Sequence, residues 1–494
     1  MAPLGFDSKK YNELQTKAIL DRLDRFGGKL YLEVGGKIFD DLHATRILPG
    51  FLPDSKIRML ATIKDRLEAI VVVNCNDIQK SKERGDLGIT YDTECLRMID
   101  LYTSYGIKTN SVVLTMYSGQ PAADIFRKVL EGRGIRSYLH YPIYGYPENT
   151  DLIVSDEGYG KNDYVETEKP VVLVTAPGPG SGKMAVCLSQ IYQENKRGIS
   201  AGYAKFETFP VWNLPLNHPV NLAYEAATAD LGDINLLDPF HMEAYGKTAV
   251  NYNRDVETFP VLKSLFEKLY GTSPYNSPTD MGVNHVGFCI KDEEVVKQAC
   301  MREIVRRFYR TNLDKIDGKV PESAVKRMDT IMMKAGISPD DFALYKTVRD
   351  AATEYSRVMA GIELPDGRII LGKRSDDLTA VSAAIINALK ALTGVNPKKD
   401  VVIREIIEPI QEMRTKVLGN DSTMLRADEM MLALAISASK DEEAKTSYDA
   451  IGQLRGCDIH CSVTQYPQDL SILRKLGLNV TCEPVLQTRI MFGN

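Results

Sequence analysis

The sequence predicts an α/β protein: a mostly parallel sheet with helices on both faces and a P-loop-like turn, plus a helical insert and a smaller C-terminal α/β domain. Three observations predict it. Short apolar runs alternate with amphipathic segments through the first half of the chain, the mark of strand–helix–strand units in a parallel sheet. These runs end in Gly, Asn, Ser or Asp, residues that turn the chain at a sheet edge. One stretch, VVLVTAPGPGSGKMAVCLSQIY (171–192), reads as a buried strand, a glycine-rich loop and a helix in immediate succession.

Taken in order, the chain first predicts a helix over Tyr11–Phe26, with Leu14, Ala18, Leu23 and Phe26 on one face and Gly27-Gly28 as its stop. Strands are expected at Lys29–Val34, Ala69–Asn74, Ser111–Tyr117 and Arg136–Tyr141, with helices such as Asp92–Tyr105 and Ala122–Glu131 between them. Val171–Val174 is apolar without alternation, which suits a central strand covered on both faces. Pro177 to Gly182 can continue neither strand nor helix. Met184, Cys187, Leu188, Ile191 and Tyr192 then fall on one helical stripe. A strand follows at Ala201–Phe206.

The segment ETFPVWNLPLNHPVN (207–221) holds the single tryptophan, Trp212, and too many prolines for regular structure. It reads either as a substrate lid or as a structural connector. Polar loops are expected at Ala229–His241, Asn251–Asp255 and Ser277–Phe288. From Lys291 to about Ala360 the sequence is helical and charged, and its charges read mostly as a solvated face. The remainder predicts a hairpin at Glu363–Gly372 turning at Asp366-Gly367, helices at Thr379–Leu392, Ala427–Ser437 and Asp469–Leu476, and strands at Asp400–Arg404, Asp458–Val463 and Asn479–Cys482. Three domains are expected: 1–290, 291–360 and 361–494.

Composition bounds the function. The 494 residues are 44% hydrophobic and 26% charged, with a net charge of −5. That balance fits a globular protein and argues against binding a nucleic-acid backbone. No apolar run is long enough to span a membrane. The start of the chain lacks the apolar core of a signal peptide, so a cytoplasmic location is expected. The eight cysteines are scattered and read as reduced thiols.

The chemistry centres on the glycine-rich loop. A turn feeding a helix start presents several backbone N–H groups, and the helix dipole adds positive potential. Gly178, Gly180, Ser181, Gly182 and Lys183 are therefore the expected phosphate-binding residues. The P-loop pattern is only half met: Gly182 and Lys183 match, whereas Pro177 stands at the first glycine and Met184 replaces the magnesium-binding Ser/Thr. In an open α/β sheet, ligands bind beyond the carboxyl ends of the strands. That places Glu33, Gly35, Gly36, Asn76, Asp77, Ser118 and Gln120 on the same edge as the loop. GYGKNDY (158–164) is a second, weaker Gly/Lys turn. Cys457, His460, Cys461 and Cys482 lie close together without paired metal-ligand spacing and read as structural. His43, His140, His218, His241 and His285 fall in or near loops, as bases or as hydrogen-bonded loop residues.

Several phrases carry a resemblance: LYLEVGGK (30–37), RGDLGITYD (84–92), YSGQPAADIFR (117–127), SYLHYPIYGYP (137–147), VTAPGPGSGK (174–183), GYAKFETFPVWNLPLNHPVNLAYEAATADL (202–231), NYNRDVETFPVL (251–262) and SPTDMGVN (277–284). Through them nearly the whole chain resembles a bacterial family of uncharacterised conserved proteins, which implies no activity. The order P-loop, helix, then AGYAK at the next strand is also similar to the dethiobiotin synthetase and cobyrinic acid amide synthase group. That resemblance implies that Lys205 meets substrate or phosphate and that Asp238-Pro239-Phe240-His241 is an acidic substrate loop. Met184 departs from the group's pattern, as does the long separation of Asp238 from Lys205.

The expectation is a P-loop-type enzyme acting on a small-molecule substrate by carboxylate activation or phosphoryl transfer. ATP and Mg²⁺ are the expected cofactors. Lys205, Glu207, Asp238 and His241 are the expected catalytic residues, and Asp233 and Asp238 the expected metal ligands. Two alternatives stay open: a metal-independent transferase or lyase holding a phosphorylated substrate in the same loop, or a non-catalytic nucleotide-binding protein. No nucleic-acid or membrane partner is expected. The C-terminal domain is read either as a cover for the site or as an interface in a homo-oligomer.

Overall fold

The computed structural model describes residues 4–84 and 87–486; Gly85 and Asp86 of the RGDLGITYD phrase lie outside the described residues. The chain divides into two compact units, residues 3–300 and 301–494.

The first unit is built on seven parallel strands: β1 (Leu30–Val34), β2 (Leu67–Asn74), β3 (Lys108–Thr115), β4 (Arg136–Leu139), β5 (Val171–Thr175), β6 (Gly202–Phe206) and β7 (Gly282–Val283). Their order across the sheet is β7-β6-β1-β5-β2-β3-β4. β5 is buried along its whole length between β1 and β2, as its unbroken apolar run dictates. One face packs on Ile19, Leu60, Met98, Ile99, Phe126 and Leu130, from the helices Ser8–Arg25, Ser55–Ala61, Tyr91–Ser104 and Pro121–Gly132. The other packs on Val186, Leu188 and Ile191 of the helix Lys183–Lys196, and on Phe259, Leu262 and Phe266 of Asn253–Tyr270.

This topology has a switch point. From β5 the chain crosses to β6 on one face; from β2 it crosses to β3 on the other. The two connections leave in opposite directions, and a ligand site is expected beyond the carboxyl ends of strands related in this way. The glycine-rich loop follows β5 and Asn74 ends β2.

The second unit has a mixed sheet of β8 (Met359–Glu363), β9 (Ile369–Lys373), β10 (Asp458–Cys461) and β11 (Asn479–Cys482), ordered β9-β8-β10-β11. β8 runs antiparallel to β9 and to β10, and β10 runs parallel to β11. The β8–β9 hairpin turns at Gly367, whose φ of 84° is open to glycine.

Two expectations change and one is refined. Most charged side chains of the helical stretch are exposed, as expected, but two of its arginines are tied down. Arg306 holds Asp458 through two bonds of 2.9 and 2.8 Å, and Arg302 holds Glu363 at 2.7 and 2.9 Å. These bidentate pairs tie helical residues to β8 and β10 and make them part of the second unit. Residues 400–404 form no strand; Val401 and Val402 are buried ahead of a helix, Arg404–Glu412. NYNRD is no loop either: Asn253–Tyr270 is helical through Pro260. No helix among the described residues is long and apolar enough to cross a membrane.

Candidate functional site

The glycine-rich loop is held by the ends of its neighbouring strands. Thr115, at the end of β3, donates to Ser181 O at 2.7 Å, and Asn74 donates to Gly180 O at 3.3 Å. Ser181 Oγ closes the loop on itself by donating to Gly178 O at 2.6 Å. Gly180 and Gly182 have φ of 74° and 84°, conformations that strain other residues. Gly178 is required for space, since a Cβ there would sit 2.1 Å from Tyr91 Oη. With the carbonyls so engaged, no acceptor among the described residues faces the N–H groups of Gly180, Ser181, Gly182, Lys183 and Met184. The helix Lys183–Lys196 starts without a side-chain cap. An uncapped helix start with free N–H groups is a ready anion cradle.

Lys183 is half-buried and makes no hydrogen bond or ion pair among the described residues. Desolvation holds its pKa below the usual lysine value; Lys205 and Arg254 add to the depression and Glu33 opposes it. A cation in that position gains from an incoming anion.

Beside it lies a buried charge network. Lys205 and Glu33 are register partners on β6 and β1. Lys205 Nζ donates to both oxygens of Asp255 and to Tyr252 Oη, and lies 3.0 Å from Glu207 Oε1. Tyr203 donates to Glu33 Oε2 at 2.6 Å. Desolvation works against the Lys205 ammonium, yet Asp255, Glu207 and Tyr252 together hold its pKa well above the usual value. Burial pushes the Glu207 carboxyl up to about 8; Lys205 opposes the rise and Asp255 adds to it. Burial thus favours the protonated form of Glu207, and the Lys205 ammonium beside it favours the carboxylate.

That shift has a stability consequence. A carboxyl whose pKa is raised on folding favours the folded state fully below its unfolded pKa, near 4.5, and loses this as pH rises through about 8. Glu207→Gln is uncharged throughout. Its unfolding free energy relative to wild type should climb between pH 5 and 8, by on the order of a few kcal/mol. Parallel denaturant titrations across that range check this; a constant difference contradicts a raised Glu207 pKa.

The structure brings together part of the expected residue set. Gly178, Gly180, Ser181, Gly182 and Lys183 form one loop; Lys205 acts on Lys183 through its charge, and Glu207 pairs with Lys205. Asp238 is elsewhere employed: its carboxylate caps a helix at His241 N (3.0 Å) and accepts from Thr279 N and Oγ1 (3.1 and 2.6 Å). His241 binds Ser277 Oγ at 3.0 Å. Asp233 pairs with Arg254 at 2.6 Å. No group of three or more potential metal-ligating residues occurs among the described residues. The Trp212 segment is pinned as a connector by Asn284 O, at 3.0 Å from Trp212 Nε1, and by the Asn221 side chain on Val211. The GYGKNDY turn packs on the loop's helix through Asn162–Ser189 and Gln193. All eight cysteines are free and buried.

Asp255, Tyr252 and Arg254 were missing from the expected site. Asp255 is fifty positions beyond Lys205, and only folding of the Asn235–Leu237 and Val250–Tyr252 strand pair delivers it there. A surface cavity of about 460 Å³ beside Leu96, Asp100 and Arg133 sits at the amino ends of β3 and β4, the edge that open α/β sheets do not use for ligands.

Comparison with known proteins places this architecture. A model described as "Domain of unknown function DUF1846, N-terminal" matches residues 4–336, and one described as "Domain of unknown function DUF1846, C-terminal" matches residues 340–492. The chain belongs to the DUF1846 family. It is similar to a UPF0371 protein of Streptococcus sanguinis, 51% identical over 487 residues, and to UPF0371 proteins of Streptococcus thermophilus and Streptococcus uberis, each 50% identical over 487 residues. Each match covers 99% of both chains. The DUF1846 N-terminal region thus includes the glycine-rich loop and the whole Lys205 network.

Proposed function

We propose that this DUF1846 protein is an enzyme of small-molecule metabolism that binds a phosphate group in the glycine-rich loop. The observation that carries the reading is the pairing of free backbone N–H groups with a Lys183 that is unpartnered among the described residues, at the carboxyl end of β5. The phosphate would take those N–H groups and the Lys183 charge. Glu207 would give its proton to a leaving oxygen and become a carboxylate. Lys205, already 3.0 Å away, would stabilise that carboxylate.

Two forms of the reading differ in what carries the phosphate. Met184, and the engagement of Asp233 with Arg254 and of Asp238 with Thr279, favour a phosphorylated substrate handled by acid–base chemistry. In the other form ATP is the carrier. The residues first expected to hold Mg²⁺ do not fit that task, so a nucleotide would bring the ion with it.

Titration calorimetry with ATP, GTP, ADP and pyrophosphate, with and without Mg²⁺, tests the reading. At least one should bind, and Lys183→Ala should weaken it by about 1.5–3 kcal/mol, roughly tenfold or more. Magnesium-dependent nucleotide binding selects the ATP form. Binding of none of these probes overturns the proposal.

A further inference from the structure

The second unit carries a cavity of its own. β9, β10 and β11 point the same way, so their carboxyl ends share an edge. Beyond β9 and β10 lies a narrow pocket lined by Arg374, Thr379, Met424, Gln465, Tyr466 and Asp469. Three helices begin at these residues or against them: Ala380–Thr393 after Thr379, Pro467–Lys475 after Tyr466, and Ala427–Ser437, whose Ala427 N–H reaches Asp469. Their dipoles add positive potential, which favours the carboxylate end of a bound ligand and leaves the Asp469 carboxyl as the one group there that favours a cation.

Two features show what it would accept. Asp469 is fully buried. Its Oδ1 accepts from Ala427 N at 2.8 Å, while its Oδ2 has no hydrogen-bond partner. Buried polar atoms are normally satisfied, so this oxygen is an acceptor awaiting a donor. Arg374 supplies the opposite character. Its Nε donates only to the thioether of Met424, at 3.2 Å, and it forms no ion pair among the described residues. The guanidinium of Arg426 lies 4.4 Å from the Tyr466 ring, adding a second positive charge beside the pocket.

The enclosed space is about 20 Å³, room for one water-sized group. An ammonium has that size and supplies three donors; a phosphate is too large. We propose that this pocket binds a small amino-acid-like zwitterion, its ammonium donating to Asp469 Oδ2 and its carboxylate meeting Arg374 at the mouth. A helix-start carboxylate and a guanidinium are the pairing that recognises a carboxylate and an amine on one molecule.

The test is a thermal-shift and calorimetric screen of the full chain with the standard L-amino acids, and with ethylamine and acetate as the two halves. At least one amino acid should stabilise the wild type more than either half does. Asp469→Asn keeps an acceptor for the Ala427 N–H but offers an amide donor where the ammonium would sit. It should weaken binding roughly tenfold or more. Arg374→Gln, at a half-buried position that leaves the Ala427 cap intact, should weaken it as well and stands as the test if Asp469→Asn fails to fold. No binding by any amino acid, leaving water as the occupant, overturns the proposal. So does binding that survives both substitutions.

Discussion

Asp255→Ala is expected to destabilise the first unit by about 3–5 kcal/mol, the cost of leaving one partner of a buried ion pair uncompensated. Lys205 is almost fully buried and gives both Asp255 oxygens a hydrogen bond. With Asp255 gone, the carboxyl left beside Lys205 is Glu207, whose pKa burial raises. Glu207 should then ionise to pair with Lys205, so its pKa should fall. The variant thus makes two readouts move together: the unfolding transition shifts down, and the pH dependence assigned to Glu207 flattens. Asp255→Asn, which retains one acceptor, should lose less. If Asp255→Ala unfolds like the wild type, the network is not holding the strand ends in place.

Gly178→Ala should damage the loop without touching its charges. The added Cβ would meet Tyr91 Oη at 2.1 Å and Cζ at 2.5 Å, and Tyr91 is itself buried. Either Tyr91 or the loop must move. Overpacking of this kind costs about 1–3 kcal/mol. Displacing the N–H groups should also lower phosphate affinity by roughly tenfold. Tyr91→Leu in the same chain opens the space, so the double variant should recover much of the binding. Equal binding by Gly178→Ala and wild type would place the anion elsewhere.

Local chemistry made the loop legible in the sequence. Glycines and prolines between an unbroken apolar strand and an amphipathic helix leave the backbone few options, and Gly180 and Gly182 adopt the conformations that glycine permits. The parallel alternation was legible for the same reason, since each unit declares its own period. What was hidden is non-local. Nothing near Asp255 in the sequence signals Lys205, and the polar NYNRD stretch reads as a loop although it opens the helix Asn253–Tyr270. The helix charges at Arg302 and Arg306 look solvated until β8 and β10 supply Glu363 and Asp458. Asp238 shows the reverse. Its acidic motif suggested chemistry, whereas Asp-Pro at a helix start is equally the signature of a cap, and its carboxylate is spent there.

The most direct measurement is amide hydrogen exchange of the full chain with and without saturating pyrophosphate or ATP, resolved over residues 178–186. Phosphate binding in the loop predicts protection of the Gly180–Met184 amides, reduced in Lys183→Ala. Unchanged exchange across that segment, while the ligand binds by calorimetry, would contradict the loop as the phosphate site.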